Sequence, residues 1–140
     1  MKECPGCGAV HDGHRWIPEP DQEVYSKLKE KKAEKSNCPG CLRVERGQVE
    51  GVVTLKGAFL TDHLDEIKNV ISRVEKNRHS RNVTSQILRS SEENGEMVIE
   101  TCDGHLAERI GKEIHKAFKG NVDMKWQEKD TFVRVLWQRD

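Results

Sequence analysis

Two short thiol pairs carry the most chemistry in this chain, Cys4-Pro5-Gly6-Cys7 and Cys38-Pro39-Gly40-Cys41. In each, Pro and Gly form a tight turn that aims both sulfurs at one point and turns backbone N–H groups back toward them. Two such knuckles supply four soft ligands in a tetrahedron, the donor set that suits Zn²⁺. A lone CxxC is a weak signal, but two nearly identical copies are a strong one. The same residues would also serve a redox dithiol or a disulfide pair. A redox CxxC, however, opens a helix after a strand, and no strand precedes Cys4. The sequence therefore predicts one structural Zn²⁺ held by Cys4, Cys7, Cys38 and Cys41. Four thiolates around one Zn²⁺ leave a local charge of about −2. Such a closed site is scaffold rather than catalyst. His11 and His14 follow Cys7 closely and are substitute ligands should one cysteine not bind.

Cys102 is the remaining thiol, with His105 three residues on. It sits where a strand gives way to a helix N-terminus, a place where a thiol pKa can fall. Nothing nearby supplies an orienting third group or an oxyanion hole. The reading is a partly buried cysteine beside a surface histidine. No GxGxxG, GxxxxGK or GxSxG occurs, so the chain is read as non-enzymatic, without a small-molecule substrate.

Lys+Arg and Asp+Glu balance at 24 each, so any polyanion would have to be held by local patches. Two candidates stand out: Arg43 and Arg46 beside the second knuckle, and Arg73, Lys76, Arg78 and Arg81 near the end of a helix. Contacts from such residues to phosphates add salt-dependent affinity without sequence specificity. Trp126, Phe132 and Trp137 fall at core-compatible positions rather than forming an RNA-stacking platform.

The elements that must position these residues fall into two parts. Residues 1–47 form the metal module, which has few large apolar side chains and uses metal in place of a core. About 30 residues separate the knuckles, more than the roughly 15–20 usual in ribbons, which implies an insertion. Prolines 18 and 20 exclude a helix there; Asp21 then caps a helix over 21–35 with Val24 and Leu28 on one face. Residues 48–140 form a separate unit. Strand 48–56 puts Val49, Gly51, Val53 and Leu55 on one face. A helix capped by Asp62 buries Leu64, Ile67, Val70, Ile71 and Val74. Strands 85–90 and 95–101 follow, joined by a polar turn at 91–94. Asp103 opens a second helix that buries Leu106, Ala107, Ile110, Ile114 and Phe118 and stops at Gly120. Strands 122–127 and 131–138 close the order β-α-β-β-α-β-β. Its first six elements match a ferredoxin-like arrangement, with the fifth strand extending an edge. The fold class is α+β: an N-terminal four-cysteine zinc ribbon, then a ferredoxin-like domain.

At 34% charged and 34% hydrophobic residues the chain is very polar, yet it can bury a modest core. It has no apolar leader and no run of about 20 apolar residues, so a cytoplasmic protein with no membrane partner is expected. Five cysteines suit a reducing compartment.

The run Cys38-Pro-Gly-Cys-Leu-Arg-Val-Glu-Arg-Gly47, followed by Val49-Glu-Gly-Val-Val-Thr-Leu-Lys-Gly57, resembles the nonsense-mediated-decay protein 3 family of zinc-binding, ribosome-associated proteins. Cys41, Arg43 and Leu55-Lys56-Gly57 match that family's knuckle, basic residue and strand-ending turn. Ala107, Arg109 and Ile110 match its strand-to-helix step. The resemblance covers residues 38–126. Family members carry more knuckles and further domains, so nuclear export is not carried over. What it implies is a compact prokaryotic relative that touches the ribosome or its RNA, with Cys38 and Cys41 as zinc ligands. A zinc-ribbon module that binds a protein partner, without RNA, is the alternative.

Overall fold

The computed structural model describes residues 1–30, 33–127 and 132–140. Four very short strands frame the first part: β1 (Lys2–Glu3), β2 (Val10–His11), β3 (Trp16–Ile17) and β4 (Glu34–Lys35). They form one sheet in the order β3-β2-β1-β4, antiparallel except for β1 with β4. Helix α1 (Gln22–Glu30) starts where expected, because the Asp21 carboxylate accepts the Val24 N–H at 2.9 Å. Leu28 is its buried residue. The expected run to residue 35 does not hold: Glu34 and Lys35 pair with Lys2 and Glu3 as a strand. Residues 31 and 32 lie outside the described residues. An Ala among lysines and glutamates offers no apolar face there, so pairing with the N-terminal strand wins.

The second knuckle opens a helix that the sequence reading did not assign, α2 (Pro39–Arg46). Cys38 is its N-cap and Pro39 its first residue; Gly47, at φ 65°, ends it in the left-handed region that glycine enters at low cost.

The remaining elements are β5 (Gly51–Lys56), α3 (Ala58–Asp62), α4 (Leu64–His79), β6 (Ile87–Glu93), β7 (Glu96–Thr101), α5 (Gly104–Phe118), β8 (Asn121–Gln127) and β9 (Phe132–Gln138). Asp62 does not cap the long helix; it ends α3, and His63 joins the two helices. The hairpin turn is Asn94-Gly95, both at positive φ, so β6 runs on to Glu93 instead of stopping at Ser90. Asp103 does cap α5, accepting the His105 N–H at 3.1 Å. The expected turn at 128–130, and Thr131 at the start of the last strand, lie outside the described residues.

These strands make one sheet in the order β6-β7-β5-β9-β8, and β5, α4 and β6 form the split β-α-β unit of a ferredoxin-like fold. The fold class is as expected, α+β with a four-cysteine ribbon ahead of a ferredoxin-like sheet. One strand is placed differently. The last strand does not extend an edge: β9 lies between β5 and β8, parallel to β5, and β8 takes the edge. Burial explains the exchange. Val133, Val135 and Trp137 on β9 are all buried, whereas β8 alternates exposed and half-buried residues and has none fully buried. The more apolar strand takes the interior position, under α5.

α4 and α5 cover the face built by Val53, Leu55, Met97, Ile99, Val133, Val135 and Trp137, with Ile67, Val70, Ile71, Leu106, Ile110 and Ile114 on the helix side. Gly111 permits a close helix-to-sheet approach, because a Cβ there would sit 2.5 Å from a Val135 methyl. Trp137 is fully buried and Trp126 packs half-buried against the same core. Phe132 departs from the core reading: it is half-buried on the opposite face, with the Arg134 guanidinium 5.3 Å from its ring centroid.

Candidate metal centre and basic cleft

The two knuckles converge. The sulfurs of Cys4, Cys7, Cys38 and Cys41 all lie within 4.8 Å of one another, and Cys7 and Cys38 are 3.6 Å apart. A tetrahedral ion with metal–sulfur bonds of about 2.3 Å would set the sulfurs about 3.8 Å apart, so the spacing fits. All five cysteines are free thiols. The first knuckle is held by Cys4 N–H donating to the Ala9 carbonyl at 2.8 Å and Gly8 N–H to the Cys4 carbonyl at 3.0 Å. Backbone N–H groups also reach the sulfurs: Cys38 donates to Cys4 Sγ at 3.3 Å and Cys41 to Cys38 Sγ at 3.4 Å. These donors stabilise thiolates. Burial works against the Cys4 thiolate, yet the N–H groups of Cys38, Cys7 and Gly6 bring its pKa down to about 7. Burial pushes Cys7 up to about 11 and Cys38 higher still. Four sulfurs at this spacing, those of Cys4 and Cys38 buried and those of Cys7 and Cys41 half-buried, cannot all ionise without a cation among them. The donor set therefore fits a closed metal site.

Around the sulfurs pack Ala9, Trp16 and Val83, the last from the segment after α4. Gln86 Nε2 lies 3.7 Å from Cys41 Sγ and donates to the Val83 carbonyl at 2.9 Å. His11 and His14 are not in the cluster: His11 packs edge-on against Trp16 and accepts the Gly13 N–H, and His14 is exposed. Contrary to expectation a strand, β1, does precede Cys4, and the second knuckle does open a helix, as a redox pair would; what sets the site apart is that all four sulfurs share one point.

Cys102 is fully buried, and burial raises its pKa, the opposite of nucleophile activation. His105 is exposed and packs against Trp126. The neighbouring Asp103 carboxylate accepts the Ser85 hydroxyl at 2.6 Å and caps α5.

The basic residues divide four ways. Arg43 is tied down, donating to the Cys102 carbonyl at 2.9 Å and pairing with Glu50 at 3.4 Å, so it braces the metal module against the sheet. Arg46 is exposed at the end of α2. Arg73, Arg78 and Arg81 meet Arg109 of α5 around one cleft of about 370 Å³, with Asn77 and Glu113 also lining it. Lys76 instead faces a separate groove with Cys7, Glu75 and His79. Arg109 was assigned no binding role from sequence. The available signal was topological: in a ferredoxin-like unit both helices lie on one face, so basic residues on their facing flanks meet.

No helix among the described residues is long and apolar enough to cross a membrane. Comparison with known proteins finds no matching family model, no matching curated protein and no matching solved structure.

Proposed function

We propose that the chain is a non-enzymatic protein that holds one structural Zn²⁺ and associates with the ribosome or ribosomal RNA. The observation that carries the RNA reading is the convergence of Arg73, Arg78 and Arg81 on one polar cleft in a chain whose net charge is zero. Guanidinium groups gathered this way suit phosphate, which they bind through paired N–H donors. The resemblance of residues 38–126 to a ribosome-associated zinc-binding family points the same way. Zinc is favoured as the ion because four thiolates form a soft, tetrahedral set with no open position. Arg43 drops out of the proposed RNA surface, since both of its contacts are internal.

Sedimentation of tagged protein with ribosomes at rising salt tests the reading. Association at low salt that weakens steadily with added salt is expected. Protein that stays at the top of the gradient at low salt overturns it. Charge reversal at Arg78 and Arg81 should weaken association while far-UV circular dichroism is unchanged.

A further inference from the structure

The cleft between α4 and α5 is more positive than a passing backbone phosphate needs. Four guanidinium groups, from Arg73, Arg78, Arg81 and Arg109, face a single carboxylate, that of Glu113. An internal phosphodiester carries one negative charge, whereas a terminal phosphate or pyrophosphate carries two or more near neutral pH. The shape agrees: the site is a concavity of about 370 Å³, large enough to surround a compact anion. A second observation points to a ligand. Arg78 Nε is buried and has no hydrogen-bond partner among the described residues. Buried donors are almost always matched, because an unmatched one keeps its full desolvation cost. Glu113 does not supply the match; its carboxylate lies 3.4 Å from Arg109 instead.

We propose that this cleft is a binding site for a phosphate dianion, with Arg109 completing it from α5. The anion is either free, as the more highly charged pyrophosphate, or the terminal phosphate of an RNA strand. The RNA source rests on the ribosomal reading above; the dianion site rests on the cleft. Arg73, Arg81 and Arg109 are exposed and reach the anion from solvent, Arg78 lines the wall and must turn its buried Nε toward the cleft to bind, and Asn77 can donate its side-chain amide. Glu113 opposes the anion and competes for Arg109.

Isothermal titration of the metal-loaded protein with three probes tests this: pyrophosphate, a 5′-phosphorylated RNA hexamer and the same hexamer with a 5′-hydroxyl. Expected are binding of pyrophosphate and an advantage of about tenfold for the phosphorylated hexamer over the hydroxyl form. Arg109→Gln should abolish both effects, and Glu113→Gln should tighten pyrophosphate severalfold. A gain of affinity in Glu113→Gln cannot come from misfolding. Equal binding of the two hexamers with none of pyrophosphate overturns the dianion site and leaves the RNA reading standing. Arg109-dependent binding of pyrophosphate with no binding of either hexamer supports the site and sinks the RNA source. Silence with all three probes overturns both.

Discussion

Gly40→Ala puts the junction between the metal site and the sheet unit under direct test. Gly40 lies inside the second knuckle, and a Cβ built on it would sit 1.7 Å from the Val83 carbonyl oxygen and 2.6 Å from Gln86 Nε2. A carbon tolerates a carbonyl oxygen at about 3.3 Å, so the two segments must part by about 1.6 Å. The knuckle cannot yield easily, because Cys38 and Cys41 on either side of it are both in the sulfur cluster. The Val83–Gln86 turn must move instead. Overpacking of this kind costs about 1–3 kcal/mol. Displacing Gln86 from the Val83 carbonyl adds about 1 kcal/mol. Replacing Gly by Ala within α2 returns up to about 1 kcal/mol. The net expectation is a loss of about 2 kcal/mol, or about 8 °C in Tm for a chain of this size. Thermal unfolding followed by circular dichroism, with metal content measured on the same samples, reads it. Metal should stay bound at about one ion per chain, so the loss can be assigned to packing. An unchanged or higher Tm with metal retained would refute the claim that the knuckle presses on the segment carrying Arg81.

Three further outcomes follow from the same geometry. With metal bound, a thiol reagent should find no reactive cysteine; after chelation it should find four, and Cys102 should react only on denaturation, as burial and its raised pKa require. Reaction of Cys102 in the native protein would contradict its burial. Chelation should also unfold the ribbon while the β5–β9 sheet persists, so NMR signals of residues 1–30 that keep their dispersion without metal would contradict a structural site. Glu108 gives a pH signature: a hydrogen bond from Lys112, and a second from Trp126 at 3.0 Å, hold its carboxyl below the usual range. The stability this adds is full above its unfolded pKa of about 4.3 and is lost as pH falls through the lower folded value. Urea unfolding of wild type and Glu108→Gln should differ by a constant amount above about pH 5, with the gap closing below about pH 4. The metal site is common to both proteins and drops out of the difference; a gap that does not depend on pH would rule out the assignment.

What the sequence made legible was what it encodes locally. The CxxC knuckles declare their ligands in four residues, and period-two alternation places Val53 and Leu55, or Val133, Val135 and Trp137, on the correct face without knowledge of the partner strand. The α4 stripe from Leu64 to Val74 is equally self-contained. Some misses had local signals that were passed over. Pro39 and Gly47 bracket α2 as a first helical residue and a C-terminal glycine do, and Asn94-Gly95 is a strong hairpin dipeptide. Others had no local signal. The partner that binds Arg43 is a carbonyl 59 residues away, so nothing near Arg43 shows that it is already committed. The two-residue strands of the ribbon are too short for any periodicity. The interior position of β9 depends on comparing its burial with that of β8, which is a property of the assembled sheet.

That interior position also bears on the order in which the sheet can be completed. β5 needs a neighbour on each side, and one of them is β9, whose Val133 pairs with Gly51. Parallel pairing across such a separation in sequence closes a long loop before any contact offsets the entropy lost, so the step is slow. A growing chain that has not yet reached residue 132 can form the β5–β7 and β6–β7 pairs but leaves one side of β5 open, with the apolar undersides of α4 and α5 only partly covered. Such an intermediate offers an unpaired edge to other chains. Synthesis from the N-terminus therefore presents the four-cysteine segment, α4 and α5 before β9, and this edge of β5 stays open until β9 arrives.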